Sequence, residues 1–232
     1  MRLSQENTKL AVEPDPATPP PVDAQEENSV PLGTKFFLIP GVSFGTVPPS
    51  LLERVRRRYS VYAELTGSPE TLGSDATFLR LRTSGERVFD LAPKWHTRLR
   101  GEFGYTWSDN FDSVPPSHRF FAGGDNSVRG FGLNELSPVN KFGARVGGRY
   151  LAVGSVELER DIPNKWLGDA LGAAVFVDAG NALNSFKDDY EYSAGLGVRY
   201  RLVGVASIGI DVAQALSDNR SPRVHLRLAT LF

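Results

Sequence analysis

The 232-residue chain has no cysteine, which excludes a disulfide scaffold, thiol catalysis and a thiolate metal site. Histidine is scarce, and His96, His118 and His225 are too scattered for a metal cluster at motif spacing. Charge of one sign is not in excess: 26 Lys+Arg against 27 Asp+Glu leave a net −1, no field to hold nucleic acid. A single Met and almost no 3.6-residue periodicity argue against a helical bundle. No stretch approaches ~18 consecutive apolar residues, which excludes a transmembrane helix. What the chain does have is glycine (23), proline (16) and many short β-type runs. A β-barrel crosses a bilayer with alternating residues, so that architecture stays open.

Residues 1–33 read as a disordered, Pro- and acid-rich tail. Glu13-Pro-Asp-Pro16 and the prolines at 19–21 remove ladder donors, and too little apolar surface follows to offset ordering entropy. No apolar core stands behind a basic start, so the segment is not a secretory signal, and the expectation is the back part of something longer. From residue 34 to 232 the spacing predicts strands at 35–45, 58–68, 75–84, 87–93 and 96–107. A Pro/Gly-rich excursion covers 108–146, and strands resume at 148–160, 171–180, 190–202, 204–214 and 222–232. That is about ten strands, with spacing near the barrel norm of ~10-residue strands. Pro49 to Arg58, with Arg54, Arg56 and Arg57, reads as a hydrated connection.

The faces of these strands carry the information. Tyr192, Ala194, Leu196, Val198, Tyr200 and Leu202 share one parity; Glu191, Ser193, Gly195, Gly197, Arg199 and Arg201 share the other. Ala206, Ile208, Ile210 and Val212 alternate with Ser207, Gly209 and Asp211, and Val224, Leu226 and Leu228 with Arg223, His225 and Arg227. A period of two puts each set on its own side of a sheet. A soluble β-sandwich turns the apolar set inward, with 108–146 as a binding loop; a transmembrane barrel turns it out to lipid. Tyr192 and Tyr200 bracket Leu196 at a separation matching the ~25 Å apolar band with its aromatic girdles, which favours the barrel. Gly195, Gly197 and Gly209 suit an inner wall that a loop approaches closely.

The stretch Arg119-Phe-Phe-Ala-Gly-Gly-Asp-Asn-Ser-Val-Arg-Gly-Phe131 resembles the signature of the BamA/TamA superfamily of outer-membrane assembly proteins, the bacterial surface antigen family. Gly132-Leu-Asn-Glu-Leu-Ser-Pro138, Gly147 to Glu157, and Phe176-Val-Asp178-Ala-Gly-Asn181 are most similar to its TamA branch. The resemblance covers roughly 34–232. It implies an antiparallel up-and-down barrel of sixteen strands, of which this chain has the C-terminal part, without the periplasmic POTRA domains. It implies that the motif Gly123, Gly124, Val128, Arg129, Gly130 and Phe131 lies on a long loop folded into the lumen, with Arg129 meeting Glu157 and Asp178 on the wall. The parities agree: Glu157 opposes Val156 and Leu158, and Asp178 opposes Val177 and Ala179. Two carboxylates on adjacent strands, with no cation on those faces, would repel unless a guanidinium satisfied both. Gly130 lets the loop approach the wall, and Phe131 can wedge between its side chains.

The same resemblance implies a non-enzymatic role at the bacterial outer membrane without a cofactor: insertion or translocation of other proteins, autotransporters among them. Its partners would be outer-membrane lipid, substrate outer-membrane proteins and a TamB-like inner-membrane protein. Phe232 matches the terminal aromatic that the family's assembly machinery reads. The chain looks truncated, with impaired activity expected. It departs from the family at Arg58, where a glycine is usual, and near Val203-Gly204, where a proline is usual.

Other readings are weaker. Glu157 and Glu159 as a glycosidase pair rest on an i, i+2 spacing that occurs constantly by chance. Asp178 to Asn181 offers too few carboxylates for calcium. Gly123, Gly124 and Gly130 lack the Lys-Ser/Thr of a phosphate loop. Arg54 to Arg58 suits lipid phosphate less well than a solvated turn. Trp95, Trp107 and Trp166 at strand ends fit interfacial anchoring as well as a sandwich. Nothing supports a catalytic assignment.

Overall fold

The computed structural model describes residues 2–6, 35–46, 59–164, 168–202 and 206–230. The strands are β1 (Arg2–Glu6), β2 (Lys35–Ile39), β3 (Gly41–Gly45), β4 (Tyr59–Ser68), β5 (Phe78–Ala92) and β6 (Trp95–Trp107). After the long loop come β7 (Tyr150–Asn164), β8 (Gly168–Leu183), β9 (Glu191–Leu202), β10 (Ala206–Ala215) and β11 (Arg223–Thr230). β3 to β11 form one nine-stranded sheet in sequence order, every neighbour antiparallel. This is an all-β, up-and-down barrel wall, the reading that the aromatic spacing and the family resemblance favour over a sandwich.

Four details differ from the sequence reading. The runs at 75–84 and 87–93 are one strand, β5. The break expected at Gly85-Glu86 is laddered on both sides, to β4 and to β6, and those bonds override local preference. The run at 35–45 breaks at Pro40, after which β3 joins the wall while β2 leaves it. Within the expected tail, Arg2–Glu6 pairs with Lys35–Ile39, because the prolines that discourage order begin only at residue 14. β7 starts at Tyr150 rather than 148, since Gly148 is held to the loop through reciprocal bonds with Phe120. Arg54 to Arg58, Trp166, Val203-Gly204 and Phe232 lie outside the described residues.

The two sheet faces differ as a barrel requires and a sandwich forbids. Val156, Val177, Leu196, Val198 and Leu226 are each about half or more exposed, on the face away from the loop. Ser155, Glu157, Asp178, Ser193, Asp211 and His225 are buried on the other face. The long loop covers that inner face and supplies the core. Phe120, Ala122, Val128, Phe131 and Leu136 from the loop pack on Leu151, Val153, Ala182 and Ala215 of the wall. A smaller cluster joins Phe37 and Ile39 of β2 to Ala76, Phe78 and Val114.

Candidate functional site

The loop between β6 and β7 is irregular but pinned. Arg119 donates to the carbonyls of Val114 (2.8 Å), Asp112 (2.8 Å) and Val146 (3.2 Å), which ties both legs at the base. Ala122 and Leu136 exchange backbone bonds higher up. Gly123 and Gly124 both have positive φ, and a Cβ on Gly123 would stand 2.5 Å from the Gly132 carbonyl oxygen, so glycine is what lets the chain fold back there. The turn delivers Val128, Arg129 and Phe131 to the wall, each buried.

Arg129 is 1% exposed and surrounded by acids. Its Nε and Nη2 donate to the two Asp178 oxygens at 2.7 and 2.8 Å, the bidentate fork that a guanidinium makes with a carboxylate. Its Nη1 donates to Glu157 Oε2 at 2.7 Å and to Asp211 Oδ2 at 3.0 Å. Its backbone N–H also reaches Asp178, at 3.1 Å. Below it, the guanidinium lies 3.3 Å from the centroid of the Phe176 ring. Ser155 donates to Asp178 Oδ1 at 2.6 Å and helps to fix that carboxylate.

The wall supplies its own cations too. Arg199 donates to Glu157 (2.9 Å from Nη2) and to Asp211, and Arg227 donates to Glu157 at 3.1 Å. Three arginines thus face three carboxylates, from β7, β8, β9, β10, β11 and the loop, and the formal charges cancel. A buried group of this kind gains little net energy from its attractions, because desolvation opposes them, but losing one member leaves a charge uncompensated. Its contribution is therefore to geometry: it fixes where the loop tip sits against five consecutive strands.

Gly130 and Phe131 complete the contact. Gly130 has φ of +90°, and its absent Cβ would meet the Ala215 backbone nitrogen at 3.0 Å. Its N–H donates to Nε2 of His225, whose Nδ1 meets Asp125. Phe131 enters the loop–wall core, with Arg220 over its ring at 5.2 Å. Nearby, Glu135 on the loop accepts from the Gly132 N–H, from Arg220 and from Arg223 (3.1 Å).

Arg129 thus meets both Glu157 and Asp178, and Gly123, Gly124, Val128, Gly130 and Phe131 all lie in the same fold-back. The pairwise scheme omitted Asp211, Arg199, Arg227, Ser155, His225 and Phe176. Most were readable from the polar parities of the last three strands, which place Arg199, Asp211, His225 and Arg227 on the side that holds Glu157. The inner-face glycines also serve a different purpose from the one expected. Gly195 makes room for Phe176, and Gly197 and Gly209 for Arg199, so wall side chains rather than the loop fill those gaps. Glu159 pairs with Arg201, not with Glu157. Among the described residues, no group of three or more His, Cys, Asp or Glu is arranged to hold a metal ion.

Comparison with known proteins agrees with the barrel fold. The model of the Omp85 superfamily domain matches residues 58–228. An outer membrane protein assembly factor BamA from Nitratidesulfovibrio vulgaris is 29% identical over 155 residues, which cover 62% of this chain and 18% of that protein. The crystal structure of BamA from Haemophilus ducreyi lacking POTRA domains 1–3 has the same fold, with a TM-score of 0.60 at 19% identity. That superposition covers 85% of this chain and 42% of the other. The chain thus spans less than half the length of either. It belongs to the Omp85 superfamily.

Proposed function

We propose that this member of the Omp85 superfamily works in the bacterial outer membrane in the assembly of other outer-membrane proteins, and carries out no bond-making chemistry. One observation carries the reading: a loop-tip arginine is buried against acids from three different strands of a wall whose aliphatic flank faces outward. That arrangement needs hydrocarbon outside and a sheltered, polar interior inside. The clamp gives a mechanical role to the loop. By holding β7 to β11 in one register from the inside, it makes that half of the wall a rigid unit, against which the rest of a barrel can flex while a substrate strand is accommodated.

The finer assignment follows from Gly132 to Pro138 and Gly147 to Glu157, which resemble the TamA branch. In that reading the substrates include autotransporters, and a TamB-like inner-membrane protein is the partner. Insertion of a urea-denatured small outer-membrane barrel into lipid vesicles tests the general role. Vesicles carrying this chain should fold the substrate faster than empty ones, and Arg129→Ala should remove the acceleration. Folding at the empty-vesicle rate, with this chain correctly inserted, would remove the assembly role.

A further inference from the structure

Cations are rare on the outer flank of the wall. On the outward parity of β3 to β11, Arg87 and Arg160 are the arginines or lysines among the described residues. Each stands a few residues before the short connection that ends its strand, Arg87 ahead of Ala92 in β5 and Arg160 ahead of Asn164 in β7. Neither has a carboxylate partner among the described residues. Each lies over a ring instead: Arg87 over Phe89 at 4.8 Å, Arg160 over Trp95 at 5.1 Å.

A depression in the apolar surface adjoins each cation. One, of about 870 Å³, is bordered by Arg87, Tyr59 and Leu99, where Gly85 pairs with Gly101 and leaves the sheet bare. The other, of about 580 Å³, is bordered by Arg160, Trp95, Leu158, Ala173 and Leu196. An unpaired guanidinium on a hydrocarbon-facing surface is costly unless it meets an anion at the interface. Its planar fork matches phosphate oxygens, and an aromatic ring beside it sits at headgroup level.

We propose that Arg160 with Trp95, and Arg87 with Phe89, each hold the phosphate of an anionic phospholipid in the leaflet on the short-turn side, with an acyl chain in the adjoining depression. This rests on the membrane reading above. Short turns face the periplasm and long loops the exterior in barrels of this kind, so the leaflet is the periplasmic one. The apolar lining of both depressions suits an alkyl chain, and the one outward-facing cation at the rim of each, with Glu86 and Arg100 of the first on the inward parity, selects an anionic headgroup over a zwitterionic one.

Trp95 is a built-in reporter. In the full chain carrying Trp107→Phe and Trp166→Phe, Trp95 fluorescence is measured in phosphatidylcholine vesicles containing a fixed fraction of brominated lipid. The brominated lipid is either phosphatidylglycerol or phosphatidylcholine. The expected result is about a fivefold preference for the anionic lipid beside Trp95. Arg160→Gln should abolish the preference, Arg160→Lys should keep most of it, and Arg87→Gln should leave it unchanged; heat-modifiable gel mobility verifies that each variant is folded. Equal quenching by both lipids in the parent chain overturns the proposal while the barrel stands. No quenching by either lipid overturns the membrane reading beneath it.

Discussion

Nε2 of His225, on β11, accepts the backbone N–H of Gly130 at 2.8 Å, while Nδ1 of the same ring lies 2.5 Å from Asp125 Oδ1. Since Nε2 accepts, Nδ1 carries the proton and donates to the carboxylate. One buried ring therefore ties two points of the loop tip to a wall strand. His225→Ala leaves the Gly130 N–H without a partner and should cost ~1–3 kcal/mol. His225→Asn, which can still present an acceptor, should recover part of that loss. The midpoint of heat-modifiable gel mobility measures both, and a His225→Ala midpoint equal to the parent's would show that the ring does not hold the loop.

Arg129→Ala removes one of three cations from a group of three buried acids. Arg199 and Arg227 cannot make the Asp178 fork, because both are engaged with Glu157 and Asp211. The expected cost is ~3–5 kcal/mol while the site stays dry, and less if water enters. Arg129→Lys should recover only part, since an ammonium lacks the fork. Adding Asp178→Asn to Arg129→Ala should be less damaging than the two single costs summed, because the second change removes the charge that the first leaves bare. Urea unfolding in vesicles measures all four chains.

The wall and its orientation were legible because alternation is a two-residue signal: once the apolar parities of 192–202, 206–212 and 224–228 are set outward, the polar parities must line the inside. The loop's destination was legible only through the resemblance of 119–131, since no periodicity describes a segment whose backbone bonds go to its own legs and to side chains. What stayed hidden were distances along the barrel. Arg199 and Glu157 share a face in the sequence pattern, but their contact depends on strand stagger, which no single strand encodes. Gly85 misled for a related reason: it looks like a turn until two neighbouring strands ladder it.

Acid should loosen the top of the loop. Burial alone would raise the Glu135 carboxyl, but the Gly132 N–H and the Arg220 guanidinium outweigh it and hold the group below its ordinary range. A depressed carboxyl contributes stability that is present above its unfolded value of ~4.3 and lost as pH falls through the lower folded value. Protection of the 124–137 backbone against hydrogen exchange should therefore fall below about pH 4. In Glu135→Gln the protection should be weaker at neutral pH and flat across that window. A parent profile that is equally flat would remove Glu135 from the account.

Two glycines on the wall should respond oppositely to the same change. A Cβ on Gly197 would stand 1.9 Å from Asp211 Oδ1 and 2.5 Å from Arg199 Nη1, whereas one on Gly154 would meet nothing within 4 Å. The atoms crowded at Gly197 are side-chain tips, which elsewhere could swing aside. Here they are buried and paired, so moving them breaks the Arg199–Asp211 contact and disturbs the acid that also receives Arg129. Gly197→Ala should thus cost ~1–3 kcal/mol, while Gly154→Ala should be neutral or stabilise by up to ~1 kcal/mol through the unfolded chain. Because Gly197→Ala acts through Asp211, its cost should shrink in an Arg129→Ala background, where Asp211 has already lost one partner. Equal costs in both backgrounds, read by urea unfolding, would mean that the glycine accommodates packing alone and that the ion cluster does not depend on it.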